Sequence, residues 1–204
     1  MHKIGVRDSK MLSKERRSKL YKDIAGICLE IKVDKITAKE INEAMASHIS
    51  INELEAMRFA RLIDRLDSKV ERIYLDSPDV IQERFGIRVS EYARSPLYIK
   101  GVKRAGSVEK GDRRVRVFAE HKADSKYPVV SAASIVAKIV RDREVRGIER
   151  RLRIKVGSGY PSDSRTIDAI RENLNNDRLS EHIRDRWSTM NRVRQTDLMS
   201  FYNK

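Results

Sequence analysis

Two aspartates stand where a carboxylate can do chemistry. Asp76 closes the run Ile73-Tyr74-Leu75-Asp76-Ser77-Pro78-Asp79, and the C-terminal end of a strand is where open α/β sheets bind their ligands. Asp124 lies in His121-Lys122-Ala123-Asp124-Ser125-Lys126-Tyr127-Pro128, just ahead of Ser131, Ala132, Ala133 and Ser134. Pro128 and the serines fit a helix N-terminus, whose backbone N–H groups can hold a phosphate. Oxygen ligands of this kind suit Mg2+ or Mn2+. Each aspartate also has a plainer reading. Asp76 can cap the Ser-Pro turn, and Asp124 can complement a helix dipole. Two carboxylates alone are a thin set for two-metal phosphodiester chemistry.

Gly157-Ser158-Gly159-Tyr160-Pro161-Ser162-Asp163 is a compact loop before another helical stretch. Its glycines allow close backbone approach, and Tyr160 could stack on a sugar or base; the plainer reading is a helix start with a half-buried tyrosine. Asp142, in Val140-Arg141-Asp142-Arg143-Glu144, reads as one member of a helical ion-pair surface. No two of the four histidines have metal-ligand spacing, and His121 is expected to be exposed or hydrogen-bonded. The single cysteine, Cys28, excludes an intramolecular disulfide and a cysteine-based zinc site, and its place on an apolar helical face predicts a core thiol.

The elements that must position these residues follow from periodicity. Ser13 can cap a helix with Leu20, Ile24, Ile27 and Cys28 at helical spacing. Leu29 to Ile36 alternates as a strand. Ile51 to Leu66 is a helix, with Ala56, Phe59, Ala60 and Ile63 on one side. Val70 to Leu75 is a strand delivering Asp76. Leu97 to Phe118 is basic and punctuated by Gly101, Gly106 and Gly111, a hairpin-like pattern. Ser131 to Arg150 is a helix burying Ala132, Ile135, Val136 and Ile139. Alternating helices and strands predict an α/β sheet protein, and the chain opens in a loop-like Gly5-Val6-Arg7-Asp8-Ser9-Lys10 rather than in a central strand.

The chain of 204 residues is 40% apolar, enough for one substantial core. Its 44 Lys and Arg against 30 Asp and Glu leave a formal charge of +14, spread along the chain. That field attracts polyanions, so nucleic acid or an anionic membrane surface fits, while a charge-rich surface suited to high temperature is the bland alternative. Ala132 to Val140 is too short to span a bilayer, and the N-terminus has no signal-peptide core. A soluble cytoplasmic protein, a monomer without membrane contact, is expected.

Taken together, His121 to Lys138, Arg141-Asp142 and Gly157 to Asp163 closely resemble archaeal-type ribonuclease HII. Asp8-Ser9-Lys10 with Leu12 resembles that family's loop near the substrate, and Tyr74 to Pro78 its third catalytic strand end. The resemblance implies a ribonuclease H-like mixed sheet flanked by helices, with a helical C-terminal part. It implies a catalytic domain over 1–155, the helical part over 156–194 and a tail over 195–204. It also implies hydrolysis of the RNA strand in RNA–DNA hybrids and at ribonucleotides embedded in DNA, with Mn2+ or Mg2+ held by four carboxylates. Motif matching makes Asp76 and Asp124 the third and fourth, and Ser9, Lys10, Lys122 and Tyr160 substrate-binding. The first two, in an Asp-Glu-Ala-Gly-Arg-Gly motif on a first strand, have no counterpart in these residues. The chain as given is therefore expected to lack its first strands and to be inactive unless completed. A non-catalytic basic nucleic-acid-binding protein is the alternative.

The tail adds a partner. Gln195-Thr196-Asp197-Leu198-Met199-Ser200-Phe201-Tyr202 resembles the clamp-binding pattern Gln-x-x-aliphatic-x-x-aromatic-aromatic. One helical turn brings Leu198, Phe201 and Tyr202 to one side as a plug for a sliding clamp, with Gln195 at the rim. A terminal helix docking on its own domain is the plainer reading.

Overall fold

In the computed structural model, residues 13–66, 69–102, 115–187, 190–191 and 193 are described. Contacts divide the chain into two units, one of Met1–Asp34 with Ile51–Ile139, the other of Lys35–Ser50 with Val140–Lys204.

The first unit is built on a three-stranded sheet of β1 (Arg72–Asp76), β2 (Leu97–Ile99) and β3 (Val115–Glu120) in the order β1-β3-β2, with both pairings parallel. Alternation turns Ile73, Leu75, Leu97, Ile99, Val117 and Ala119 to one face. Helices α3 (Ile51–Ile63) and α4 (Gln82–Tyr92) cover it with Ala56, Ala60, Ile63, Phe85 and Val89. Phe85 is fully buried and meets Phe59 edge-to-face at 5.6 Å, the kind of site where truncation to alanine costs about 3–5 kcal/mol. Gly86 lets α4 lie close, because a Cβ there would stand 3.1 Å from Ile99 and 3.2 Å from Ala119. The opposite face carries Arg72, Tyr74 and Asp76 on β1, Arg116, Phe118 and Glu120 on β3, and Tyr98 on β2. Helix α1 (Lys14–Ile27) is capped by Ser13 as expected, its side chain accepting from Arg16 N–H.

The short α5 (Ala123–Lys126) precedes the long α6 (Pro128–Leu152), whose Ala132, Ile135, Val136 and Ile139 are buried. The division between the units falls within α6. In the second unit, α2 (Ala38–Ala46) begins with a capping box of Thr37 and Glu40. Asn42 binds the backbone of Ile183 and Asp185. Val156, Ala169 and Leu179 form a small core with α7 (Ser164–Glu172) and α8 (Asp177–Ser180). No helix among the described residues is long and apolar enough to cross a membrane.

Three local expectations are corrected. Residues 29–36 form no strand, and Leu29 is wholly exposed. Alternation makes a strand only where a neighbour completes the ladder, and no described strand pairs with this segment. Its polar side chains pair instead, Glu30 with Lys32 at 2.8 Å and Asp34 with Arg58 at 3.5 Å. The stretch 97–118 is not a hairpin, since β2 and β3 run parallel; the glycine punctuation at Gly101 does turn the chain, at φ 87°, but residues 103–114 lie outside the described ones. Cys28 is the half-buried C-cap of α1 rather than a core residue, because the helix ends one position earlier.

Candidate active site

The parallel sheet brings the C-terminal ends of β1 and β3 side by side, with Asp76 and Glu120 in register. Asp76 is exposed, and its Oδ1 accepts the backbone N–H of Ala123 at 3.0 Å. That bond ties the end of β1 to the start of α5 and sets Asp76 beside the residue preceding Asp124. Asp124 is buried at 8% exposure, and Ser125 Oγ donates to it at 3.4 Å. The capping reading of Asp76 thus holds in altered form, since the backbone it caps is that of α5 rather than the Ser-Pro turn.

The turn that delivers Asp124 is held from several sides. Lys122 sits in the left-handed region, φ 54° and ψ 37°, which costs a residue with a Cβ about 1–2 kcal/mol. Flanking bonds enforce it. The His121 N–H donates to Gln82 Oε1 at 3.0 Å, and its Nε2 lies 2.7 Å from the Asp79 carbonyl oxygen. Ser77 N–H donates to the Glu120 carbonyl at 3.0 Å. Strain kept in place by its surroundings is characteristic of functional turns, and the Lys122 side chain is exposed. His121 is exposed and hydrogen-bonded, as expected.

Two acidic residues of this region were not singled out by sequence. Asp79 is buried at 7%, its carboxylate accepting from Asn52 at 2.7 Å and from Arg88 at 3.1 Å. Arg88 also binds Glu53, which Tyr92 joins. Hydrogen bonds from Tyr92 and then Arg88 hold the Glu53 carboxyl below its ordinary range. Glu120 accepts from Lys126 at 3.0 Å and Tyr127 at 2.9 Å, and those bonds, Lys126 first, hold its carboxyl low. Burial and then Glu120 push the Tyr127 phenol up. The Tyr74 ring stacks on Phe118 at 4.8 Å and packs at a tilt against Tyr127 at 4.4 Å. Strand alternation carried a signal for Glu120, since it falls opposite Asp76; nothing local marked Asp79 as an anchor.

In the second unit, the loop 157–163 is rigidly built. Gly157 and Gly159 both adopt φ 70°. Asp163 accepts from Ser158 N–H at 2.8 Å and from Arg165, and these bonds, Arg165 foremost, hold its carboxyl well below the usual range. Thr166 Oγ1 takes the Gly159 N–H at 3.0 Å and donates to the Val156 carbonyl at 2.8 Å. Tyr160 is 46% exposed, with the Arg141 guanidinium 3.5 Å from its ring centre. Asp142 pairs with Arg141 at 3.4 Å, the ion-pair role expected of it. Ser9, Lys10, Gln195, Leu198, Phe201 and Tyr202 lie outside the described residues.

Among the described residues no three acidic, histidine or cysteine side chains gather as a metal cluster. Asp76 and Asp124 remain a hard-oxygen pair on adjoining elements, and Mg2+ is commonly held by one or two carboxylates together with substrate phosphates. The donor chemistry fits such an ion. A family model for ribonuclease HII matches residues 1–190. The chain belongs to the ribonuclease HII family. Ribonuclease HII of Archaeoglobus fulgidus is 39% identical over 201 residues, covering 98% of this chain and 86% of that protein. The crystal structure of ribonuclease H2 from Pyrococcus horikoshii superposes with a TM-score of 0.75 at 34% identity, over 96% of this chain and 83% of that one. Ribonuclease HII of A. fulgidus, solved in complex with PCNA, gives 0.73 at 37% identity, over 92% of this chain and 80% of that one. The ribonuclease H-like α/β fold expected from the motifs is thus shown at the level of the family.

Proposed function

We propose that this ribonuclease HII family member cleaves the RNA strand of RNA–DNA hybrids and at ribonucleotides embedded in DNA, with Asp76 and Asp124 as metal ligands. The observation that carries this reading is the bond from Ala123 N–H to Asp76 Oδ1, which joins the two aspartate-bearing elements. A bound Mg2+ or Mn2+ supplies charge stabilisation at the scissile phosphate and lowers the pKa of an attacking water. The protein's part is to hold two carboxylates in place and to present cations to the strand. Lys122, fixed in its left-handed turn, offers an ammonium for a phosphate. Tyr160, one face covered by Arg141, is assigned its sugar contact from its motif. Ser9 and Lys10 are assigned substrate contacts from their motif alone.

Residues 1–204 contain no Asp-Glu-Ala-Gly-Arg-Gly run, and we propose that by themselves they do not cleave. The test is a pair of proteins, residues 1–204 and the same chain extended by a strand carrying that motif. Both are assayed on a duplex with one embedded ribonucleotide and on a full hybrid, with Mn2+ or Mg2+. Cleavage by the extended protein alone supports the assignment. Binding without cleavage in both favours a basic nucleic-acid binder. The tail from Gln195 is proposed as a sliding-clamp ligand, supported by its sequence pattern and by the relative that was solved with PCNA.

A further inference from the structure

The sheet face that carries Asp76 also presents an arrangement that β-sheets avoid. Arg72 on β1 and Arg116 on β3 are direct register partners, and Tyr98 on β2 is the next in the same row. Like charges directly opposed across strands destabilise a sheet. Both arginines are exposed, and neither has an acidic partner among the described residues. Elsewhere on the same face cations are paired: Lys100 lies over Phe118 and 3.9 Å from Glu120, and Lys126 binds Glu120 at 3.0 Å. Tyr98, 42% exposed, flanks the arginines with an open aromatic ring. A local rule broken without compensation among the described residues marks a site where a ligand can compensate. Two exposed guanidiniums beside an exposed aromatic match a phosphate backbone with adjacent sugars and bases.

We infer that the row Arg72, Arg116 and Tyr98 is a second contact for the nucleic-acid backbone, on the same sheet face as Asp76 but at the other end of the strands. The inference rests on the proposed nuclease reading for the identity of its polyanion. Four residues of strand separate Arg72 from Asp76, about 13 Å at ~3.3 Å per residue. With one charge per strand every ~3.4 Å of duplex axis, that reach places the row about four nucleotides from the phosphate at the carboxylates. The contact reads no sequence; it sets register and supplies salt-dependent affinity.

The test is fluorescence anisotropy of a labelled RNA–DNA hybrid with residues 1–204 in the absence of divalent metal, titrated across monovalent salt. Arg72→Glu/Arg116→Glu is compared with Arg171→Glu/Arg178→Glu, the same charge change made on exposed positions of α7 and α8. The first pair should weaken binding at least tenfold and reduce the slope of log K against log salt by about two, since each lost phosphate contact removes ~0.9. The control pair should leave the slope nearly unchanged. Arg72→Glu alone places opposite charges across the strands, so its melting temperature should hold or rise while affinity falls, which a purely structural arginine would not show. Equal effects of the two pairs, or no hybrid binding at low salt, overturn the inference. A slope change in the first pair, with no cleavage by the motif-extended chain, would instead sink the nuclease reading and leave this surface standing.

Discussion

Asp76 and Ala123 are 47 positions apart in sequence, yet Asp76 Oδ1 accepts the Ala123 N–H at 3.0 Å. One aspartate therefore positions the backbone that carries the other. A substitution at Asp76 is felt twice, in the proposed metal ligand it removes and in the turn it releases.

Asp76→Asn and Asp124→Asn separate those effects in the motif-extended protein. The asparagine at 76 keeps an oxygen for Ala123 N–H, so the fold should melt nearly unchanged. Each variant should lose more cleavage than the roughly 10–100-fold typical of changes outside the ligand set. Retained cleavage at saturating Mn2+ in either variant would remove that residue from the metal site.

His121 should act through the turn rather than on the substrate. His121→Ala removes the ring contact to the Asp79 carbonyl, and the metal concentration needed for half-maximal cleavage should rise about tenfold. His121→Gln, which still offers an N–H, should recover most of it. If both variants behave alike, the ring–carbonyl contact does not position Asp124.

The Glu120 carboxyl gives a pH signature. Lys126 and then Tyr127 depress it from its ordinary value of 4.5. A depressed folded-state value means the stabilisation is fully present above about pH 4.5 and is lost as pH falls through the lower folded-state value. Glu120→Gln should lower stability at neutral pH and flatten the acid limb of urea-unfolding free energy against pH. An unchanged acid limb would show that the Lys126 and Tyr127 bonds contribute nothing in solution.

Tyr160→Ala should weaken cleavage at a single embedded ribonucleotide while sparing the fold, because the ring is half exposed over Arg141. Loss of stacking on a nucleotide typically costs ~1–3 kcal/mol, or about 5–150-fold in kcat/KM. A variant that cuts normally but melts far lower would make Tyr160 a structural residue.

Deleting residues 195–204 should abolish binding to a sliding clamp in isothermal titration and leave clamp-free cleavage nearly unchanged. Phe201→Ala in the tail peptide is the matched control. Loss of folding on deletion would place the tail in the protein's own core.

Much of this fold is legible in the sequence. The helical spacing of Ala56, Phe59, Ala60 and Ile63 predicted α3, and the apolar run to Leu75 predicted the strand that ends at Asp76. What failed was what depends on distant partners. Leu29 to Ile36 has strand alternation, but alternation cannot supply a neighbouring strand. Leu97 to Phe118 has turn-forming glycines, but strand direction is decided by pairing rather than by punctuation. In the site, the residue types of Asp76 and Asp124 were readable. The supporting roles of Asp79 and Gln82 were not, because they arise from bonds such as Asn52 to Asp79 and His121 to Gln82, 27 and 39 positions apart.

That separation along the chain also orders events during folding. The aspartates sit on either side of a parallel β1–β3 pairing, a non-local contact whose loop must close before it is rewarded. No local segment can bring both carboxylates together, so a nascent or partly unfolded chain holds no assembled carboxylate pair. On the proposed reading, metal binding at this pair would await completion of the sheet, and partly folded intermediates would hold no ion there.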